Sequence, residues 1–426
     1  MTKIEERLRR ELPELAEALT VTTHLDSAQR TRLDLGDSNE SLPARAKVSS
    51  RRRGAALVSV AAACLAIVAG LVMFGQFDRT ETAIDVAAAK GPVDFGEWES
   101  ITEAPIETRA FAATAWTGSE VIFWAGSNLS RNFAYTDGAA YDPVADTWRD
   151  LDVPGWGHPG LASAFFDGEL YLLAKGSGSR FDPAEGVWTA LPYVEGDPIF
   201  LAEAVATADG IWGVGPGSGT DGEQRIAISR YDKATNEWVR GQPAVPPAEL
   251  PNIASNLSGK EASVLWTGSE IVVWSSGEGG LAYNPAAEIW RTLLHPQPEG
   301  AQVIDSRATM TNAGLTLLVD TGGTSLIAVS SAEGWQWLPA EVPITDFASV
   351  SVSGADDWLV VLSGDESPAV VHMESGLWER DSDSPIGGVE GPNIAWTGEV
   401  LVIWGGVATD TSSASGAIWT PPKDSR

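Results

Sequence analysis

Y-D-P-V-A-D-T-W at 141–148, F-D-P-A-E-G-V-W at 181–188, Y-D-K-A-T-N-E-W at 231–238 and Y-N-P-A-A-E-I-W at 283–290 align without a gap. Each sets an aromatic residue seven positions before a tryptophan. The chemistry is that of a hairpin. The aromatic closes one strand, Asp or Asn begins a tight turn, and the tryptophan opens an outer strand from which it packs between neighbouring sheets. Successive tryptophans lie 40 to 52 residues apart.

Fainter copies continue the series at Trp337 and Trp378, preceded by E-G-W-Q-W and S-G-L-W. A second motif lies upstream, clearest as A-W-T-G-S-E-V-I-F-W at 115–124, L-W-T-G-S-E-I-V-V-W at 265–274 and A-W-T-G-E-V-L-V-I-W at 395–404. It reads as a strand, a Thr-Gly turn and a fully apolar strand, the inner hairpin of a four-stranded unit. Self-similarity at this period marks a repeat architecture, in which no unit buries its faces alone. The last copy, G-A-I-W-T-P-P at 416–422, matches the third strand G-A-A-Y-D-P-V at 138–144, and no fourth strand follows it. F-G-E-W-E-S-I at 95–101 supplies the missing outer strand through Trp98. Counting Trp98, Trp148, Trp188, Trp238, Trp290, Trp337 and Trp378 predicts an all-β, seven-bladed β-propeller over 94–422, its ring closed by the N-terminal strand.

An apolar strand ending in one or two glycines and followed by Y-D-P-x-x-x-x-W resembles the Kelch repeat. The resemblance covers about three quarters of the chain. The double glycine is kept only at Gly405-Gly406, whereas the first copy has Ala125-Gly126. The resemblance implies the fold and leaves the ligand open. A copper site of the kind found on some Kelch propellers needs a cysteine joined to a tyrosine, and the only cysteine is Cys64, upstream of the propeller. Neither a metal nor any other cofactor is expected.

Composition agrees with many short strands joined by tight turns: 44 Gly, 25 Pro and 18 Trp in 426 residues. The formal charge of −30 is unevenly spread. Residues 1–75 carry 11 Lys or Arg and 9 Asp or Glu, leaving 17 basic and 49 acidic residues beyond. Such a surface repels phosphate, so nucleic acid is excluded as a partner.

Residues 54–77 are 24 consecutive residues without a charge. At about 1.5 Å per residue they exceed the roughly 30 Å hydrocarbon core as a helix. Arg45, Lys47, Arg51, Arg52 and Arg53 precede this segment, and Asp78, Glu81 and Asp85 outweigh Arg79 after it. The positive-inside rule therefore predicts a single-pass type II protein of the cell membrane, with its propeller outside the cytoplasm. The expected division is a cytoplasmic tail at 1–53, a span at 54–77, a linker at 78–93 and the propeller at 94–422. Within the tail, Ile4, Leu8, Leu12, Leu15 and Leu19 form an amphipathic stripe suited to a cytoplasmic partner.

In a propeller the loops joining one blade to the next gather on the face that also carries the loops between second and third strands. Loops on a rigid scaffold are the usual place for binding residues. Trp156, His158, Asp197, His295, Asp305, Asp346, Asp381, Asp383 and Glu390 are the candidates there. Trp335, outside the tryptophan series as counted, is another expected contact residue. No catalytic constellation emerges from these positions. The function expected is a binding scaffold for a protein or cell-envelope ligand. The alternative is an anchored hydrolase or lyase acting on envelope carbohydrate through paired carboxylates.

Overall fold

The sixth position of the aromatic-to-tryptophan motif must turn left-handed, and the residues found there show why the motif recurs. Asp146, Gly186, Asn236, Glu288 and Gly376 have φ of 50°, 69°, 57°, 56° and 69°. Gly, Asn and Asp tolerate this region best. The second position fixes the turn from the other side: Asp142 Oδ1 accepts from the Val144 and Ala145 N–H groups at 2.9 and 3.0 Å, and Asp182 and Asp232 repeat the pattern. The Thr-Gly turns are built alike. Thr117 Oγ1 accepts from Glu120 N at 2.9 Å, and Thr267 and Thr397 do the same one hairpin earlier in their own units.

The computed structural model describes residues 93–128, 133–151, 162–174, 177–193, 202–219, 222–259, 262–364, 366–382, 384–408 and 416–423. Among them these hairpins build seven four-stranded antiparallel sheets. Blade 1 runs Ala113–Trp116, Val121–Trp124, Gly138–Asp142 and Thr147–Leu151 from the inside outward. Blades 2 to 6 follow at 162–191, 203–240, 262–294, 305–342 and 351–380. Blade 7 is made of Asn393–Trp396, Leu401–Trp404 and Gly416–Thr420, with Glu97–Ser100 as its outer strand. The tail, the apolar segment 54–77 and most of the linker lie outside the described residues. No helix among the described residues is long and apolar enough to cross a membrane.

The fully apolar second strands are explained by burial on both faces. In blade 1, Val121 and Phe123 point into the core shared with blade 7, and Ile122 and Trp124 into the core shared with blade 2. Ile271 and Val273 of blade 4 face blade 3, while Val272 and Trp274 face blade 5. Side chains alternate along a strand, so a blade wedged between two neighbours needs apolar residues at every position. Seven apolar clusters result, one at each seam between adjacent blades. Burying one such side chain is worth about 1.5–3 kcal/mol.

Blade 7 and its seam with blade 1 bring together residues from opposite ends of the domain. The strand of Trp98 pairs with the last strand, as the sequence predicts, in a register that sets Trp98 opposite Trp419, Glu97 opposite Thr420 and Ser100 opposite Ala417. Trp419 donates its indole N–H to Phe95 O at 3.0 Å. Beyond the strand, Arg109 is buried, with its guanidinium 2.6 Å from Asp137 and stacked 3.9 Å over the Tyr135 ring. It also donates to the carbonyls of Glu107, Ala125 and Asp137. Asn393, also buried, donates to the carbonyls of Arg109 and Trp404 and accepts from Ala112 N. The glycine pair belongs to this clasp: Gly405 and Gly406 have φ of 71° and 86°, and a Cβ on Gly405 would lie 2.4 Å from the Arg109 carbonyl. Ala125 and Gly126 adopt the same pair of conformations, 58° and 93°, so the geometry survives where the first glycine is lost.

One sequence expectation is corrected. Trp335, not Trp337, is the second residue of the outer strand of blade 5, opposite Ser330. Its indole donates to Leu294 O at 3.0 Å, as Trp148, Trp238 and Trp290 donate to Thr102, Pro192 and Gln242 of the blades before them. Trp335 is thus a blade tryptophan packed 5.7 Å from Trp274 rather than a contact residue. The hairpin there closes through Gly334 with a shorter turn, which shifts the interval that the sequence count relied on. The number of blades is unchanged.

Candidate functional site

The inner strands of blades 4, 5 and 6 begin at Ala262, Asp305 and Ser351, and the loops that deliver them frame a cavity of about 860 Å³. Ligand pockets commonly have volumes of about 300–1,000 Å³. Its wall is assembled from Phe111 before blade 1, Asn252 and Asn256 before blade 4, Ser276 to Glu278 within blade 4, Ile304, Asp305, Arg307 and Ala308 at the start of blade 5, Ala348 to Val352, and Glu390 with Gly391. All of these lie on the loop face or in the first residues of the inner strands.

Most polar groups at this mouth are held by the local fold. The short helix Ile253–Gly259 follows Asn252, whose N–H and side-chain amide both donate to the Glu278 carboxylate. Asn256 Nδ2 donates to the buried Ser275 hydroxyl at 2.6 Å. Behind the loop that carries Glu278, the Trp274 indole donates to Ser306 Oγ, and Ser306 Oγ donates to Ser276 O, each at 2.9 Å. Asp305 pairs with Arg307 at 2.9 Å. The Arg307 guanidinium also donates to the carbonyls of Val350, Ser306 and Phe347 at 3.1–3.2 Å, so this cation clasps blade 5 to the loop before blade 6. Glu390 is exposed and bonds through its backbone to Val407, leaving its carboxylate turned to solvent.

Two apolar residues rim the opening. Ile304 is 57% exposed and Phe111 42% exposed. Phe111 also has φ 55°, a left-handed conformation rare for an aromatic residue. A Cβ on Gly391 would lie 2.8 Å from the Phe111 ring, so the absence of a side chain there lets the ring lie against the neighbouring loop before blade 7.

The nine sequence candidates are distributed unequally. Asp305 and Glu390 line the mouth together. His295 sits just behind, half-buried, edge-on to Trp274 at 5.0 Å. Burial pushes its imidazole below the ordinary histidine value, against the nearby Asp305 carboxylate and the Ser276 backbone. Asp346 caps a turn by accepting from Ala348 N and does not line the cavity. Asp381 lies apart, in a cleft of about 190 Å³ at the edge of blades 6 and 7, beside Asp94, Glu379 and Trp98. Trp156, His158, Asp197 and Asp383 fall outside the described residues. Among the described residues no three His, Cys, Asp or Glu side chains gather as metal ligands do.

Sequence reasoning passed over Phe111, Asn252, Asn256, Glu278, Ile304, Arg307 and Ser349. Glu278 sits between the second and third strands of blade 4, outside the inter-blade loops. S-S-G-E-G-G at 275–280, where the other copies of the motif continue with glycine, was the available signal.

No protein-family model matches the chain, and no curated protein matches it. Solved structures do. One is described as a novel fungal alcohol oxidase of the AA5 family in complex with copper, with 14% identity, a TM-score of 0.52, and 77% of each chain covered. Another is YCF48 bound to D1 peptide, with 14% identity, a TM-score of 0.50, and 78% of this chain and 99% of that chain covered. The likeness is one of fold. At this identity it transfers neither the copper chemistry of the first nor the peptide of the second, and the propeller stands as a scaffold whose site must be argued from its own residues.

Proposed function

We propose that this chain is a membrane-anchored scaffold of the Kelch-like type, displayed outside the cytoplasm, that binds a protein or cell-envelope ligand at the loop-face mouth. The carrying observation is the cavity of about 860 Å³, two of whose three carboxylates are tied into the scaffold by Asn252 and Arg307. Groups fixed this way build a rigid recognition surface. Exposed aromatic side chains support it: Phe111, Phe133 and Tyr193 all lie in loops of this face, and aromatic residues are enriched at interfaces. The paired left-handed residues at 125–126 and 405–406 support the Kelch-like reading. The uncharged run at 54–77 and its basic flank support the anchor, with residues 1–53 free to meet a cytoplasmic partner.

The alternative reading, a hydrolase or lyase of envelope carbohydrate, has one observation on its side: Glu278, Asp305 and Glu390 converge on the opening. Photo-crosslinking in cells separates the faces. With a benzophenone amino acid introduced one position at a time in the full chain, adducts are expected from Phe111 and Ile304 and not from Val187, Ile289 or Leu377 on the opposite side. Adducts only from the latter, or glycan turnover abolished by Glu390→Gln, would overturn the scaffold reading.

A further inference from the structure

The charges around the mouth are lopsided, and they sit beside apolar surface. Three carboxylates, Glu278, Asp305 and Glu390, face one cation, Arg307. That guanidinium is already engaged by Asp305 and three backbone carbonyls, so it offers little to an anionic ligand. Glu390 holds an exposed carboxylate on one side of the opening, and Glu278 keeps partial exposure on another. The same lining carries Phe111 and Ile304, its two exposed large apolar side chains. A phosphate or an acidic glycan meets repulsion here. A neutral sugar finds hydrogen-bonding groups largely used within the fold: the Asn252 amide on Glu278, the Asn256 amide on Ser275, and the Ser349 hydroxyl taken by Gly364 N and given to Asp346 O.

Resting on the scaffold reading above, we infer that the mouth takes a protein segment bearing lysine or arginine next to a large apolar residue. The cationic head sits among Glu390, Glu278 and Asp305, and the apolar neighbour packs on Phe111 and Ile304. Long basic side chains suit this arrangement, because their methylene stems lie along apolar surface while the charge reaches the carboxylates. The acidity of the whole propeller adds long-range attraction for such a partner and speeds encounter at low salt.

The test uses the full chain in detergent and three degenerate nine-residue peptide pools. One alternates Lys or Arg with Leu or Phe, one replaces the basic positions by Glu, and one replaces the apolar positions by Gly. Binding is read by fluorescence anisotropy at two salt concentrations, for the natural chain and two double variants of equal charge change. These are Glu278→Gln with Glu390→Gln at the mouth, and Glu185→Gln with Glu237→Gln on the turns of the opposite face. The basic apolar pool is expected to bind, to weaken about tenfold or more in the mouth variant, and to keep its affinity in the turn variant. The Glu pool is expected not to bind, and the Gly pool to bind at least several-fold more weakly. Melting temperatures close to that of the natural chain confirm folding. Equal loss in both variants, binding of the Glu pool, or no binding of the basic pool up to about 1 mM would overturn the inference, as would a neutral glycan displacing the peptides. Crosslinks at Phe111 combined with any of these results would leave the scaffold standing and remove only the ligand class.

Discussion

The two faces of the propeller were built by different rules. On the turn face, where third and fourth strands meet, four blades share one hairpin: Asx acceptor at the second position, left-handed residue at the sixth, tryptophan at the eighth. Charges there serve the ring. Lys233 of blade 3 bridges Asp167 and Glu169 of blade 2 at 2.7 and 2.8 Å, and both bonds hold its amine well above the ordinary lysine value. Among the described residues of the loop face the connections differ: one carries a helix, one a short 3-10 turn capped by Asp346, and one a two-stranded ribbon of Val389–Glu390 with Val407–Ala408. The lesson is that repetition encodes closure and departure from repetition encodes recognition.

The comparison can be broken at the seam first. Removing residues 94–101 takes away the outer strand of blade 7 and uncovers a sheet edge. The expected outcome is loss of the cooperative melting transition or concentration-dependent association, read by calorimetry and light scattering. Arg109→Met keeps the volume but leaves buried carbonyls without a donor. A loss of about 2–4 kcal/mol in urea unfolding is expected, whereas Arg149→Met, at a half-exposed pair with Glu120, should cost under about 1 kcal/mol. A similar cost for both would mean that the clasp at the seam is no different from a surface ion pair.

The turn rule is sharpened by Gly186, where a Cβ has open space and only φ is constrained. Gly186→Val should destabilise by about 1–2 kcal/mol and Gly186→Asn by far less. A smaller effect is expected at Asp146. Burial raises its carboxyl, but the Thr102 N–H, the Tyr141 hydroxyl and the Thr102 hydroxyl outweigh that and hold it below the usual aspartate value. A depressed carboxyl contributes stability above its unfolded value, near pH 4, and loses it as pH falls through the lower folded value. Asp146→Asn should therefore cost a little stability at pH 7, kept small because an amide can still accept there, as Asn236 accepts the Tyr231 hydroxyl at the same position in blade 3. It should also flatten the acid limb of melting temperature against pH. An unchanged acid limb would remove Asp146 from the account.

Legibility in the sequence follows the same division. The strands, the blade number and the joining of the Trp98 strand to the last sheet were readable because turn geometry and two-sided burial repeat with the fold. Trp335 was misassigned because the turn of blade 5 is shorter, and an interval count cannot detect a changed turn. Asp305 and Glu390 were found through their place in inter-blade loops. Phe111 and Ile304 carried no signal, since their exposure depends on where distant loops come to rest. Asn252 and Glu278 meet only in space.

The claim beneath all of this is that the first and last strands of the domain are neighbours. Glu97 and Thr420 are direct partners in that pairing. With Cys64→Ser removing the one native thiol, the double variant Glu97→Cys, Thr420→Cys can be oxidised and run without reductant. An intrachain disulfide that forms in high yield and raises the melting temperature is the result expected. Two thiols that stay free, or that join only between separate chains, would contradict a ring latched by its own N-terminal strand.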